Sequence, residues 1–76
     1  MTDQINPEIQ KLCELAADMG LPGKIRHEAV QSIANIGSRE ALLTLLDLAA
    51  NENLAVKDRE LALKRAGDVI KKNSSA

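Results

Sequence analysis

Residues 24–50 read KIRHEAVQSIANIGSREALLTLLDLAA, and the fold turns on how this stretch is divided. Ile25, Ala29, Ile33 and Ile36 recur at the three- and four-residue spacing that stacks side chains on one face of an α-helix, with Val30 and Ala34 beside them. Gly37 stands where that pattern stops, and glycine enters the left-handed conformation that closes a helix without a steric penalty. Ser38 follows at once, and its hydroxyl can accept an amide of the next helix. Two helices joined by so short a turn are expected to run antiparallel. The second, Arg39 to Ala50, holds Ala41, Leu42, Leu43, Leu45, Leu46 and Leu48 and is apolar on most sides. Such a helix is expected to be sandwiched, which predicts a central position with Leu45 and Leu46 in the core.

Outward from this unit the pattern continues in both directions. Asn6-Pro7-Glu8 is a helix start: a capping amide oxygen, a proline at the first position, and an acid near the positive end of the helix dipole. The apolar positions Ile9, Leu12, Cys13, Ala16 and Met19 predict a helix over residues 7–19, closed by Gly20 and separated by Leu21-Pro22-Gly23 from a helix over 24–36. After helix 39–50, Asn51-Glu52-Asn53 makes a turn. A last helix over 55–72 is expected to bury Val56, Leu63, Ala66, Val69 and Ile70, leaving Leu61 exposed off that stripe. Gly67 inside it suggests a close helix crossing. Residues 1–5 and 73–76 read as flexible tails around one domain, 6–72. No two-residue alternation marks a strand, so the class is all-α.

The 76 residues suffice for one domain, and with no Phe, Tyr or Trp the core must be built from Leu, Ile, Val and Ala. A net charge of -1 argues against a surface given over to nucleic acid or anionic membrane. One cysteine, Cys13, cannot close a disulfide within the chain, and no charged-then-apolar leader is seen, so a cytoplasmic protein is expected. No apolar run reaches the ~18 residues of a membrane span.

At an offset of 33 residues the chain aligns with itself without gaps. Leu12, Leu15, Ala16, Ala17, Leu21, Lys24, Arg26 and Ala29 meet identical residues at Leu45, Leu48, Ala49, Ala50, Leu54, Lys57, Arg59 and Ala62. Ile9 meets Leu42, and Ile36 meets Val69. Matches such as the paired arginines lie off the apolar stripe, which amphipathic periodicity alone does not explain. Two stacked antiparallel helical hairpins, repeat one about 6–37 and repeat two about 38–72, are therefore expected.

Ile25-Arg26, Ala29, Ile33, Ile36-Gly37, Glu40-Ala41, Leu45 and Leu48 together resemble the HEAT-like repeat family, in the short-repeat branch first noted in phycobiliprotein lyases, with its V-R-x-x-A, L-x-x-I-G, E-A and L-x-x-L pattern. The resemblance implies an α-solenoid fragment; it does not imply lyase activity. It also implies that Arg26 and Arg59 are structural, lying along the inter-helix turns and bonding carbonyls or an acid of a neighbouring repeat. Asp58 departs from the pattern, standing where the family has an apolar residue before Arg59.

Chemistry-bearing constellations are sparse. Glu28 adjoins His27 in sequence but points about 100° away on a helix, so His27 reads as a solvated surface residue. Cys13 has no second cysteine or nearby histidine at ligand spacing and reads as a small core residue. No phosphate loop, nucleophile elbow or metal spacing is present, so neither enzyme nor cofactor is expected. Charge is uneven: residues 1–23 hold one base against four acids, residues 54–76 six bases against three acids. Lys57, Lys64 and Lys71 recur every seven residues, and Arg65 and Lys72 widen them into a basic ridge. The leading expectation is a non-catalytic protein-interaction module, an adaptor or regulatory subunit that docks a protein partner or a second copy. Its candidate surface is Lys57, Leu61, Lys64, Arg65, Lys71 and Lys72, with Gly37 and Ser38 serving the fold. The alternative is binding of nucleic-acid backbone through the ridge, against which stand the absence of aromatic stacking platforms and the acidic first half. A third possibility is an enzyme accessory subunit resembling the bilin lyase chaperones.

Overall fold

The computed structural model describes residues 6–74, and among them there are four helices and no strand. They are α1 (Pro7–Ala16), α2 (Gly23–Ile36), α3 (Arg39–Ala50) and α4 (Val56–Ser74). Residues 1–5, read above as a tail, and residues 75–76 lie outside the described part.

Local chemistry accounts for the helix ends. Asn6 caps α1, its side-chain oxygen accepting the amides of Glu8 at 2.8 Å and Ile9 at 3.4 Å. Ser38 Oγ accepts the Ala41 amide at 3.1 Å and so starts α3. Gly37 closes α2 at φ 67°, ψ 13°, the one positive φ among the described residues. Helix α1 ends at Ala16, short of the expected Met19. Asp18 turns the chain there, its carboxylate accepting the Gly20 amide at 2.9 Å and its carbonyl the Leu21 amide at 3.0 Å. Helix α4 in turn runs past the expected residue 72: Ser74 Oγ donates to the Ile70 carbonyl at 2.8 Å, and Asn73 Nδ2 to the Gly37 carbonyl at 3.2 Å. What read as the start of a tail is helix.

In sequence order, α1 packs on α2 and α3 on α4; α2 also lies against α3 and α4, and α1 against α3, while α1 and α4 do not meet. Ile9, Ile33, Leu45 and Val69, one from each helix, are the largest side chains buried completely. Ala29, Ala41, Ala62 and Ala66 close the spaces between them, small side chains letting the helices approach. Leu54, in the turn between α3 and α4, reaches into the same core. Leu45 is fully buried but Leu46 is 37% exposed, so α3 has an outer face after all.

Helix α4 departs furthest from expectation. It buries Asp58, Ala62, Ala66 and Val69, leaving Val56, Leu63 and Ile70 exposed at 64%, 58% and 48%. The helix carries two apolar stripes, and the one that faces inward is the one with alanines. Leu61, expected to be exposed and to serve as a docking residue, is instead half-buried against the core, because α4 turns this side of the helix inward. Gly67 needs no close crossing either, because a Cβ built there meets nothing within 4 Å.

Candidate docking surfaces

Three features stand out on this frame: a charged joint between α2 and α4, a line of lysines on α4, and apolar faces at the two outer sides.

The joint centres on Asp58, 2% exposed in the first turn of α4. Arg26 Nε donates to Asp58 Oδ2 at 2.7 Å, and Nη2 reaches Oδ1 at 3.4 Å. A third donor of the same guanidinium, Nη1, goes to the Leu21 carbonyl at 2.6 Å, tying the α1–α2 turn into the cluster. His27 Nε2 lies 2.6 Å from Asp58 Oδ1; an ionised carboxylate only accepts, so the proton of this bond sits on Nε2. The reading of His27 as a solvated residue is thereby corrected: its ring is 40% exposed, but it is tied to a buried acid 31 residues away. Burial by itself raises the Asp58 carboxyl, yet the hydrogen bonds and charges of Arg26 and His27 outweigh it and hold the group below the ordinary carboxylate range. A buried acid held by an arginine and a histidine of its own fold ties α2 to α4. Arg59, the sequence counterpart of Arg26, donates from Nε to the Ala49 carbonyl at 2.9 Å and braces the α3–α4 turn.

Cys13 is half-buried against the core, facing the groove between α1 and α3. Burial pushes its thiol up, and the nearby carboxylates of Asp47 and Glu14 push it further, which makes it a poor nucleophile. Among the described residues no cluster of His, Cys, Asp and Glu is arranged to hold a metal ion.

Of the candidate basic residues, Lys57, Lys64, Lys71 and Lys72 are exposed along α4. Arg65 is drawn aside into an ion pair with Asp68 and borders, with Lys72, the groove between α2 and α4. The ridge is therefore narrower than its sequence spacing suggests, and Glu60 and Asp68 are exposed on the same helix.

The outer faces are apolar. On α1–α2, Ile36, 39% exposed, lines an open cavity of about 580 Å³ with Pro7, Lys11, Leu12 and Ser32, and Leu15 and Ile25, 43% and 40% exposed, line an adjoining cleft of about 200 Å³ that shares Leu12 and Ser32. On α3–α4, Val56 and Leu63 flank a smaller cleft of about 200 Å³ together with Ala49, Arg59 and Glu60. Sequence reasoning missed both surfaces, placing Ile25 and Ile36 on the buried stripe of α2 and Val56 and Leu63 in the core, where the structure leaves all four exposed. It held the needed signal in the offset that pairs Leu63 with Val30, but both residues are apolar and only the surroundings tell them apart. No family model matches the chain, and no curated protein or solved structure matches it. The arrangement alone thus defines the class, an all-helical fold with four helices among the described residues and exposed apolar outer faces.

Proposed function

We propose that this chain is a non-catalytic protein-interaction module, two stacked antiparallel helical hairpins of HEAT-like type whose outer faces dock protein. The observation that carries the reading is the exposure of large aliphatic side chains on both outer sides of so small a fold, Ile25 and Leu15 on one and Val56 and Leu63 on the other. The repeat reading is supported by burial at the 33-residue offset: Ala29 and Ala62 are both buried, and Arg26 and Arg59 both bond a carbonyl of the turn before their own helix or of the helix preceding it. Stacked hairpins bury such faces only against neighbours, and a cover for each outer face follows from that architecture. No helix among the described residues is long and apolar enough to cross a membrane, and with a lone cysteine the cytoplasm is the compartment we favour.

Nucleic-acid binding through Lys57, Lys64 and Lys71 is the second reading, favoured by the exposure of all three on one helix. Cross-linking in the native host, followed by mapping of the linked peptides, separates the two. We expect protein adducts at the outer apolar faces and no shift of duplex DNA at physiological salt. Absence of protein adducts, with a DNA shift that fades steeply as salt rises, would replace the first reading by the second.

A further inference from the structure

The junction between α1–α2 and α3–α4 can be compared, residue by residue, with the two outer faces. On its α3–α4 side, Glu40 and Thr44 border the groove to α1, and Arg65 and Val69 border the groove to α2. Thirty-three positions earlier stand Pro7, Lys11, Ser32 and Ile36. Those four line the open cavity of about 580 Å³ on the face of α1–α2 turned away from the junction. The same correspondence holds in the other direction. Asp58 seats on Arg26 and His27 inside the junction, and the counterparts of these two are Arg59 and Glu60. Both line the cleft of about 200 Å³ on the outer side of α3–α4. By position in the 33-residue offset, one outer face is thus made of the counterparts of the α3–α4 half of the junction and the other of the counterparts of the α1–α2 half.

We propose that the chain stacks head to tail on further copies of itself, with Ile25 of one copy entering the Ala49, Val56 and Leu63 cleft of the next, where the internal junction has Asp58. The proposal rests on the interaction-module reading and names the partner. The exchanges on the two sides match. Where Asp58 becomes Ile25, the receiving cleft offers the aliphatic side chains of Val56 and Leu63 beside Arg59 and Glu60, so an acid seated on Arg26 and His27 gives way to an isoleucine against aliphatic residues. An acid at position 25 would meet Glu60 in place of His27, and isoleucine avoids that repulsion. Charge runs the same way, since the α1–α2 end carries the acidic excess and the α4 end the basic one, and Lys64 corresponds to Gln31 at the edge of the junction. Because the two surfaces differ, the contact is head to tail and adds copies in a row, closing only if its rotation makes a ring, and it is not a two-fold dimer.

Sedimentation velocity tests this with the full chain, wild type, Ile25→Lys and Leu63→Lys, all checked by circular dichroism. Both positions are exposed in the single molecule, 40% and 58%, so the folds should be retained. We expect the weight-average mass of the wild type to rise at least about twofold between ~10 µM and ~1 mM. Each variant alone should stay at the mass of one chain. Mixed in equal amounts they should form a species of two chains and nothing longer, because each supplies the face that the other lacks. A wild type at single-chain mass throughout, a mixture that does not associate, or an assembly that survives both substitutions would overturn the proposal. Cross-linking at position 25 to a different protein, with no self-association, would likewise overturn it while leaving the interaction-module reading standing. That reading falls only if protein adducts are absent altogether.

Discussion

Asp58 shows how one residue can hold two helices in place. Its carboxylate is enclosed, and its hydrogen bonds come from Arg26 and His27 on α2. Removing it strands a largely buried guanidinium, 13% exposed, without its counter-charge. We therefore expect Asp58→Ala to lower stability by about 3 kcal/mol in urea melts at neutral pH. The pH dependence has a definite sign. The folded-state value lies below the unfolded one, so the unfolded chain binds the proton first, and stability rises with pH across the interval between them. The contribution is complete above the ordinary carboxylate value of about 3.9 and disappears as pH falls through the lower, folded value. The gap in urea midpoint between wild type and Asp58→Asn should hold steady from pH 7 to about 5 and narrow below about 4. A gap that stays constant into strong acid would show that the carboxylate charge is not what locks the joint.

At the scale of the helix, two glycines with opposite surroundings make a paired prediction. Gly37 closes α2 with φ 67°, a backbone that an L side chain rarely adopts, so Gly37→Ala should cost about 1–2 kcal/mol. Gly67 lies inside α4 with open space where a Cβ would go, and Gly67→Ala should stabilise by about 0.5–1 kcal/mol through helix propensity alone. Thermal melts of the two variants should move in opposite directions. A loss of stability in Gly67→Ala would mean that α4 approaches a neighbour more closely than the open space around that position allows.

For the molecule as a whole, stability depends on α3 and α2, the two helices that each touch all three others. Leu45 is fully enclosed, and Leu45→Ala should cost about 2–5 kcal/mol, a large share of what a domain of this size holds. Leu46 is its neighbour in sequence but is 37% exposed, and Leu46→Ala should cost about 1 kcal/mol or less. Equal destabilisation by both, read from denaturant midpoints at constant slope, would place both faces of α3 in the core.

Most of the element pattern was legible along the chain, because its causes are local. The caps at Asn6 and Ser38 and the glycine at 37 act within one turn of chain and are found where the pattern puts them, and the three-and-four spacing marks four helices, though α1 stops at Ala16 instead of Met19. The self-match at 33 residues was legible for the same reason, identity at a fixed offset being a property of the string. Which face of each helix lies inside was settled by packing between helices. Val56, Leu63 and Ile70 form as good an apolar stripe on α4 as Ala62, Ala66 and Val69, and periodicity cannot rank them. The ranking comes from packing: alanines let α4 approach α2 and α3 closely, and that approach carries Asp58 onto Arg26 and His27 and turns the bulkier stripe outward. His27 was misread by the same route, since its partner is 31 residues distant and its sequence neighbour Glu28 points elsewhere. Contacts across such distances depend on how the helices are rotated about their axes, a choice made by the volumes of every side chain in the interface together.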